Sequence, residues 1–465
     1  MPETAPPPSH PDLAAIDAAE RNPLLLDLDA RGLIYQCTDM AGLNAHLAQP
    51  RTLYNGFDPT ADSLTVGNLV AIMLLRRFQA HGHTPIVLMG GATGRIGDPS
   101  GKDAERSLMD DEQIEANLAG QRPIFESLLD FDEGTSNHAR IVNNHDWFKT
   151  MDVYTFLRDV GKHFSVNEML RRDSVKNRIE RAEQGISYTE FSYMLLQAWD
   201  FVHLYRELDV TVQTAGADQW GNIVSGSDLI RRLDTAVDDE HAAAVALGLT
   251  APLLTKADGS KFGKSEAGAV WLTHHRPSGE PGTSPYAYTQ FWLNAADDDV
   301  AKFLKIFTDL APGDIADLMA AHAEAPHARA AQQTLAKEAT TLLHGAAAYE
   351  RAVGAARALF SGAVGSLDEP TLNEVFAEVP ASEHPRDQLT AEGGVALVDL
   401  LPQTSLCSSK GEARKHLAAG AVSINGDKLD ADDPVAVRVT ADDLLHHRVI
   451  LLRRGKKAWH VTRWT

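Results

Sequence analysis

Short apolar runs alternate with amphipathic stretches of helical period through the first half of this chain, and few architectures accept that order. Arg51 to Phe57 reads as a strand, Gly67 to His81 as an amphipathic helix, and Pro85 to Gly90 as a short buried strand. A Gly-rich turn, a helix from about Asp111 to Leu129 and a strand at Arg140 to Asn143 follow. Val210 to Thr214 is a further strand that runs through Gly216-Ala217-Asp218-Gln219 into another helix. The alternation predicts an α/β fold, a parallel sheet covered by helices. Such sheets bind ligands beyond the carboxyl ends of their strands, where the strand order reverses. Tyr54, Asp98 and Asp218 fall in or just after strands.

At 465 residues the chain is too long for one core. Residues 1–21 are rich in Pro, Ala and acidic groups and read as a disordered extension with no secretory pattern. Residues 22–265 hold the alternating pattern. Residues 266–382 are Ala- and Leu-rich with helical period, residues 383–394 read as a linker, and residues 395–465 as a small α/β segment. No run approaches the length of a membrane span. Cys37 and Cys407 are the two cysteines, without metal-ligand spacing, so a disulfide framework is not expected and the compartment reads as cytoplasmic. The formal net charge of −21 argues against non-specific RNA binding, yet cations gather locally at Arg453, Arg454, Lys456, Lys457 and Arg463, with Trp459 and Trp464 between them. By composition alone that cluster is equally a solvated tail.

Five stretches carry chemistry. Asp58-Pro59-Thr60 leaves a strand and Thr65-Val66-Gly67-Asn68 opens a helix. N–H groups at a helix start favour phosphate, and Gly67 lets a flat base lie against the backbone. Thr60 can donate to a phosphate oxygen, and Asn68 can serve a ribose or phosphate. The Gly90–Lys102 stretch is a glycine-rich loop that ends in cations, and Asp98-Pro99 within it reads either as a turn or as an ammonium partner. Tyr193, Gln197 and Asp200 stand at i, i+4 and i+7, on one face of a helix, either as a polar seam or as a pocket wall. Asp218 can accept from ribose hydroxyls, Gly216 admits a sugar to the backbone, and Gln219 can donate to a reacting centre. Lys261-Phe262-Gly263-Lys264-Ser265 puts two cations on a turn that can close on phosphates.

In this order the motifs resemble those of class I aminoacyl-tRNA synthetases. The lysine turn is similar to their KMSKS signature, and Thr65–Asn68 to a His-Ile-Gly-His signature in which Thr65 and Asn68 replace the histidines. Leu53 to Leu64 resembles the bacterial tyrosyl-tRNA synthetases in particular, and the likeness runs from about Leu33 to the C-terminus. It implies a Rossmann-like catalytic domain, a helical domain for the anticodon arm, and a small S4-like RNA-binding domain. The last is carried by Ser409–Leu417, with Lys410, Arg414 and Lys415, and by the hairpin turn Asn425-Gly426.

The resemblance further implies that Tyr54 and Asp200 face a phenol hydroxyl, that Tyr193, Gln197 and Asp98 face an ammonium, and that Gln213 and Gln219 complete a tyrosine site. Asp58, Thr60, Gly67, Asn68, Gly216 and Asp218 would hold ATP. Lys102, Arg106, Lys261 and Lys264, with Thr60, would stabilise departing pyrophosphate. Its substrates would be tyrosine, ATP and tRNA, with Mg2+ carried by ATP, no protein metal site and no membrane partner, and the assembly a homodimer. Two alternatives stand beside it: a tryptophanyl enzyme on the same fold, and a synthetase-derived RNA-binding protein without activity.

Overall fold

The structure is a computed structural model that describes residues 10–100, 109–172, 175–176, 179, 185–234, 245–265, 268–377, 379–390, 393–429, 433–455 and 458–465. Its contacts divide the chain into two compact units, Met1–Thr283 with Phe291–Leu343, and Ser284–Gln290 with His344–Thr465.

The first unit is built on a six-stranded sheet of β1 (Gln36–Cys37), β2 (Thr52–Phe57), β3 (Thr84–Met89), β4 (Arg140–Asn143), β5 (Val210–Gly216) and β6 (Leu247–Ala251). Their order is β1-β6-β5-β2-β3-β4, parallel except where β1 runs against β6. From β2 the chain builds outward through β3 to β4 on one side and through β5 to β6 on the other. The order reverses between β2 and β5, which opens a crevice at their carboxyl ends, at Asp58 and Gly216. Strands β2 to β5 are those the sequence predicts. β1 is two residues long and β6, Leu-Gly-Leu-Thr-Ala, carries little β-branched content, so neither is announced by pattern.

Four helices flank these strands: α1 (Val66–Ala80), α2 (Asp111–Leu128), α3 (Tyr188–Leu208) and α4 (Trp220–Asp234). α1 buries Leu69, Ile72, Met73 and Phe78 at helical spacing. Ser187 caps α3 by accepting from the Glu190 N–H at 3.2 Å, and Asp209, at φ 54°, ends it. Phe201 and Leu204 of α3 meet Leu229 of α4, Tyr54 of β2 and Ile86 of β3 in one buried cluster. Burial of each such side chain contributes roughly 1.5–3 kcal/mol, and here it also fixes α3 beside the strand ends.

Three helices follow in the same unit: α5 (Asp297–Phe307), α6 (Pro312–Glu324) and α7 (Ala330–His344). Ahead of them the two-residue strands β7 (Lys264–Ser265) and β8 (Gly268–Ala269) pair antiparallel. The boundaries expected at 265/266 and 382/383 therefore differ from the contact boundaries, which lie at 283/284, 290/291 and 343/344. Composition marks where one type of element replaces another, whereas contacts mark what packs together.

The expected disorder of residues 1–21 is also corrected from residue 10 onward. Pro11–Ala14 is helical, Leu13 is fully buried, and the Arg21 guanidinium donates to the carbonyls of Leu13, Ala14 and Ile16. One apolar anchor and one arginine clamp suffice, and a Pro- and Ala-rich composition hides both.

The second unit carries a five-stranded sheet. β9 (Ala381–His384), β10 (Val395–Ala396), β11 (Val422–Ile424), β12 (Asp427–Lys428), β13 (Arg438–Val439), β14 (Val449–Arg454) and β15 (Ala458–Trp464) are its strands, of which β10 and β13 pair apart. The main order is β12-β11-β14-β15-β9, with β9 parallel to β15 and the rest antiparallel. The segment 383–394 is no bare linker, since it holds the end of β9 and a short helix at Asp387–Thr390. The Asn425-Gly426 turn has φ of 49° and 89°, the paired positive values of a two-residue hairpin, as the sequence predicts. Helices α8 (Ala346–Ser361) and α9 (Lys410–Ala418) lie in this unit.

Candidate active site

The crevice has a buried end and an exposed end. At the buried end Tyr54, on β2, is fully buried, and its hydroxyl has no hydrogen-bond partner among the described residues. Burial foremost, and then the negative charge of Asp200, hold that phenol well above its ordinary pKa. Asp200, on α3, is 1% exposed. One carboxylate oxygen accepts from Trp147 Nε1 at 2.9 Å and the other from Asn144 Nδ2 at 3.1 Å. Burial pushes its pKa well up, and those two donors oppose the shift. A buried phenol hydroxyl without a partner, electrostatically coupled to a buried carboxylate, can receive one further hydroxyl, which accepts from Tyr54 and donates to Asp200.

A hydrogen-bonded chain runs from there toward the mouth. Asn144 also donates to Thr93 Oγ1 at 3.0 Å, Thr93 donates to Asp58 Oδ1 at 2.7 Å, and Tyr193 donates to Asp58 Oδ2 at 2.9 Å. Tyr193 is buried, and its pKa is raised first by burial and then by Asp58 and Asp98. Glycine is required at 90, where a Cβ would lie 2.2 Å from Asp58 Oδ1. The loop after β3 can therefore sit on the Asp58 carboxylate only without a side chain there.

Asp98 stands next along the cleft. Its carboxylate accepts from Gln219 Nε2 at 2.6 Å and from the Ser100 N–H at 2.9 Å. Burial raises its pKa to about 6, against the pull of those two donors. Gln219 also donates to Asp218 at 3.1 Å, and Asn222 donates to both Gln219 Oε1 at 3.0 Å and Gln197 Oε1 at 2.8 Å. Gln213 is buried, with its Oε1 unpartnered among the described residues. The structure thus brings Tyr54, Asp58, Asp98, Tyr193, Gln197, Asp200 and Gln219 into connected arrangements. Asn144, Trp147, Thr93 and Asn222 belong to the same network; Thr93 and Asn222 fall in stretches the sequence singles out but have no role there, and Asn144 and Trp147 fall outside them. The signal available for the first two was Asn144-x-x-Trp147 directly after a predicted strand.

At the exposed end Thr60, Gly67, Asn68, Asp218 and Lys261 face solvent. Thr65 is the N-cap residue of α1. Both its backbone N–H, at 3.0 Å, and its hydroxyl, at 2.9 Å, donate to Asn68 Oδ1. The Asn68 amide oxygen is thereby turned back into the cap, which leaves its NH2 group to point donors outward. The lysine turn lies against this helix start. Gly263, at φ 91°, comes so close that a Cβ would stand 3.3 Å from the Gly67 nitrogen. Val66 N–H donates to Val270 O at 2.9 Å, and Val270 N–H to Gly263 O at 3.0 Å. Lys102, Arg106 and the side chain of Lys264 lie outside the described residues. Among the described residues, no group of three or more His, Cys, Asp or Glu side chains could hold a metal ion, and no helix is long and apolar enough to cross a membrane.

In the second unit Lys410, Arg414 and Lys415 are exposed on α9, and Lys410 pairs with Asp399 at 2.6 Å. The two tryptophans of the basic C-terminal cluster are structural. Trp464 is 2% exposed and donates to Thr462, while Trp459 packs on Phe376 and under the Arg453 guanidinium.

Residues 47–361 match the family of tRNA synthetases class I (W and Y), and residues 371–462 match the tyrosine–tRNA ligase SYY-like C-terminal domain. The chain is 48% identical over 443 residues to a tyrosine–tRNA ligase of Geobacillus kaustophilus, across 95% of this chain and 99% of that protein. It is 46% identical over 441 residues to one of Opitutus terrae, across the same shares. Among solved structures, a C-terminally truncated mitochondrial tyrosyl-tRNA synthetase of Aspergillus nidulans superposes with a TM-score of 0.63 at 30% identity, over 73% of this chain and 95% of that one.

Proposed function

The chain belongs to the class I tRNA synthetases of the tryptophan and tyrosine branch and is an enzyme that joins tyrosine to tRNA with ATP as substrate; from that premise we propose which of its residues do the work. The tyrosine carboxylate attacks the α-phosphate of ATP, pyrophosphate leaves, and the tyrosyl group then passes to the terminal ribose of the tRNA. No side-chain nucleophile is needed, so catalysis rests on positioning and charge.

Tyr54 donates a hydrogen bond to the phenol oxygen of the substrate and Asp200 accepts one from its hydroxyl, with Asn144 and Trp147 holding the carboxylate in place. Asp98, Tyr193 and Gln197 surround the ammonium, Gln213 supports the site from behind, and Gln219 donates at the reacting centre. Asp58 fixes Tyr193 on one side and faces the nucleotide on the other. Thr60, Gly67, the NH2 group of Asn68, Gly216 and Asp218 receive ATP. Lys261 and Lys264, with Lys102 and Arg106, meet the charge that grows on pyrophosphate as it departs, so they act on the transition state more than on the ground state. We propose that Mg2+ arrives on the phosphates.

Arg414 and Lys415 on α9, with Lys410, contact the tRNA backbone, and the helical region holds its anticodon arm. The assembly is a homodimer: of eleven exposed large hydrophobic residues among those described, seven lie between 153 and 188, Tyr154 and Tyr188 the most exposed of them. The cytoplasm is its compartment.

The observation that carries the amino-acid assignment is the buried, unpartnered Tyr54 hydroxyl beside Asp200. Phenylalanine would leave the Tyr54 hydroxyl buried without a partner and Asp200 without the hydroxyl it would otherwise accept from. ATP–pyrophosphate exchange with tyrosine, tryptophan and phenylalanine tests it: tyrosine alone should support exchange, and exchange with tryptophan at a similar rate would overturn the assignment.

A further inference from the structure

Helix α5 holds the lysine turn at three points. The Asp299 carboxylate, almost wholly buried, accepts from the Ala257 N–H at 3.0 and 3.1 Å. Lys302, one turn on, donates to the Thr255 carbonyl at 2.6 Å and pairs with Asp299 at 3.1 Å. Thr255 bridges to Lys261 across a tight turn closed by Lys256 N–H to Ser260 O and Gly259 N–H to Lys256 O. The pair therefore grips the strand opposite the first signature lysine. Phe262, the next residue, is buried against Phe303 and Phe307 of the same helix, with ring centroids 4.9 and 5.3 Å away.

The other end of α5 is fastened to the nucleotide helix. Arg77 of α1 donates to the Thr308 carbonyl, and Arg76 of α1 pairs with Asp309 at 2.7 Å. Arg31 joins them, donating to the carbonyls of Lys305, at 2.8 Å, and Thr308. One helix thus touches the helix that opens with Gly67 and Asn68 and also the turn that carries Lys261. These contacts are polar at both ends of α5 and apolar at Phe262, and they involve none of the residues assigned to the tyrosine pocket.

We infer that Asp299 and Lys302 are positioning residues for tyrosine activation: they set Lys261 in register with the α1 start, and α5 is the strut that spans the two halves of the phosphate site. The inference rests on the proposed role of Lys261.

The test uses the full chain with Asp299→Asn, Lys302→Met, Lys261→Ala and the Asp299→Asn/Lys261→Ala double variant, read by single-turnover adenylate formation and by separate tyrosine and ATP binding. Misplacing a charged group by a fraction of an ångström predicts a loss in rate of about tenfold for either positioning variant, with the tyrosine dissociation constant unchanged. In the double variant the loss should equal that of Lys261→Ala alone, because Asp299 acts through that lysine. Losses that multiply, an unaltered rate in both positioning variants, or an equal fall in tyrosine affinity would overturn the inference. Lys302→Met keeps an unbranched side chain while removing the ammonium that lies 5.4 Å from the Phe303 ring centre, and serves if Asp299→Asn fails to fold. A Lys261→Ala enzyme of full rate overturns the reading of the lysine turn and this one with it, whereas a slow Lys261→Ala beside a fast Asp299→Asn overturns this one alone.

Discussion

The two ends of the crevice solve opposite problems. At the tyrosine end Asp200 and Tyr193 are buried and already hydrogen-bonded to protein, and the Tyr54 hydroxyl and Gln213 Oε1 remain unpartnered among the described residues. At the nucleotide end Gly67, Asn68 and Lys261 are exposed, with a side-chain amide and a cation at the surface. A buried, fixed network makes a missing hydroxyl expensive and so would confer selectivity. An exposed cation is cheap to keep and becomes strong when substrate excludes water around it. On the proposed assignment, selectivity and rate enhancement are separated along one cleft.

If that separation is right, variants should sort cleanly. The largest effect falls at the exposed end: Lys261→Ala should slow adenylate formation roughly 10²–10³-fold, the usual result of removing one preorganised donor to developing charge. Tyrosine affinity, measured by calorimetry, should be unchanged in that variant. Asp200→Ala should do the reverse, weakening tyrosine binding roughly 10–100-fold, since a hydrogen bond to a charged group is worth about 1.5–3 kcal/mol. ATP affinity should hold there, and equal losses for both ligands would break the comparison.

The third effect is one of pH. Burial lifts the folded-state pKa of Asp98 to about 6, so below that pH its carboxyl is neutral and lacks the charge that draws an ammonium. Tyrosine affinity should be level above about pH 6 and fall as pH drops through it, with proton release on binding near the midpoint. An Asp98→Asn variant should bind weakly with a flat profile; a midpoint that persists in it would assign the titration elsewhere. The smallest effect is Thr65→Ala, which removes a helix cap worth about 1 kcal/mol. Denaturant unfolding should register that loss while adenylate formation stays within reach of the parent rate, because Thr65 reaches the site only through Asn68.

Much of the exposed end was legible beforehand. Thr65-Val66-Gly67-Asn68 and Lys261 to Ser265 are contiguous, and a helix start or a tight turn is built by neighbours in sequence. The face shared by Tyr193, Gln197 and Asp200 was equally readable, since helical spacing fixes it. The partners of Asp200 were not. Asn144 and Trp147 follow a different strand, more than fifty residues upstream, and only the adjacency of β3 with β4 brings them near α3. The sequence interleaves Trp459 and Trp464 with the basic cluster but does not show which way they face, for a related reason. In β15 residues alternate between faces, and Trp464 lies in the hydrophobic core.

Local periodicity and glycine placement settled the parallel α/β sheet, the two signature turns and the Asn425-Gly426 hairpin, because these depend on interactions between residues close in the chain. Tertiary structure alone decided that a helix beginning at Asp297 would touch both α1 and the lysine turn, that Leu13 would be buried, and that the first unit would run past residue 265. Those outcomes depend on which distant surfaces meet, and an amino-acid string records the surfaces without recording their meeting.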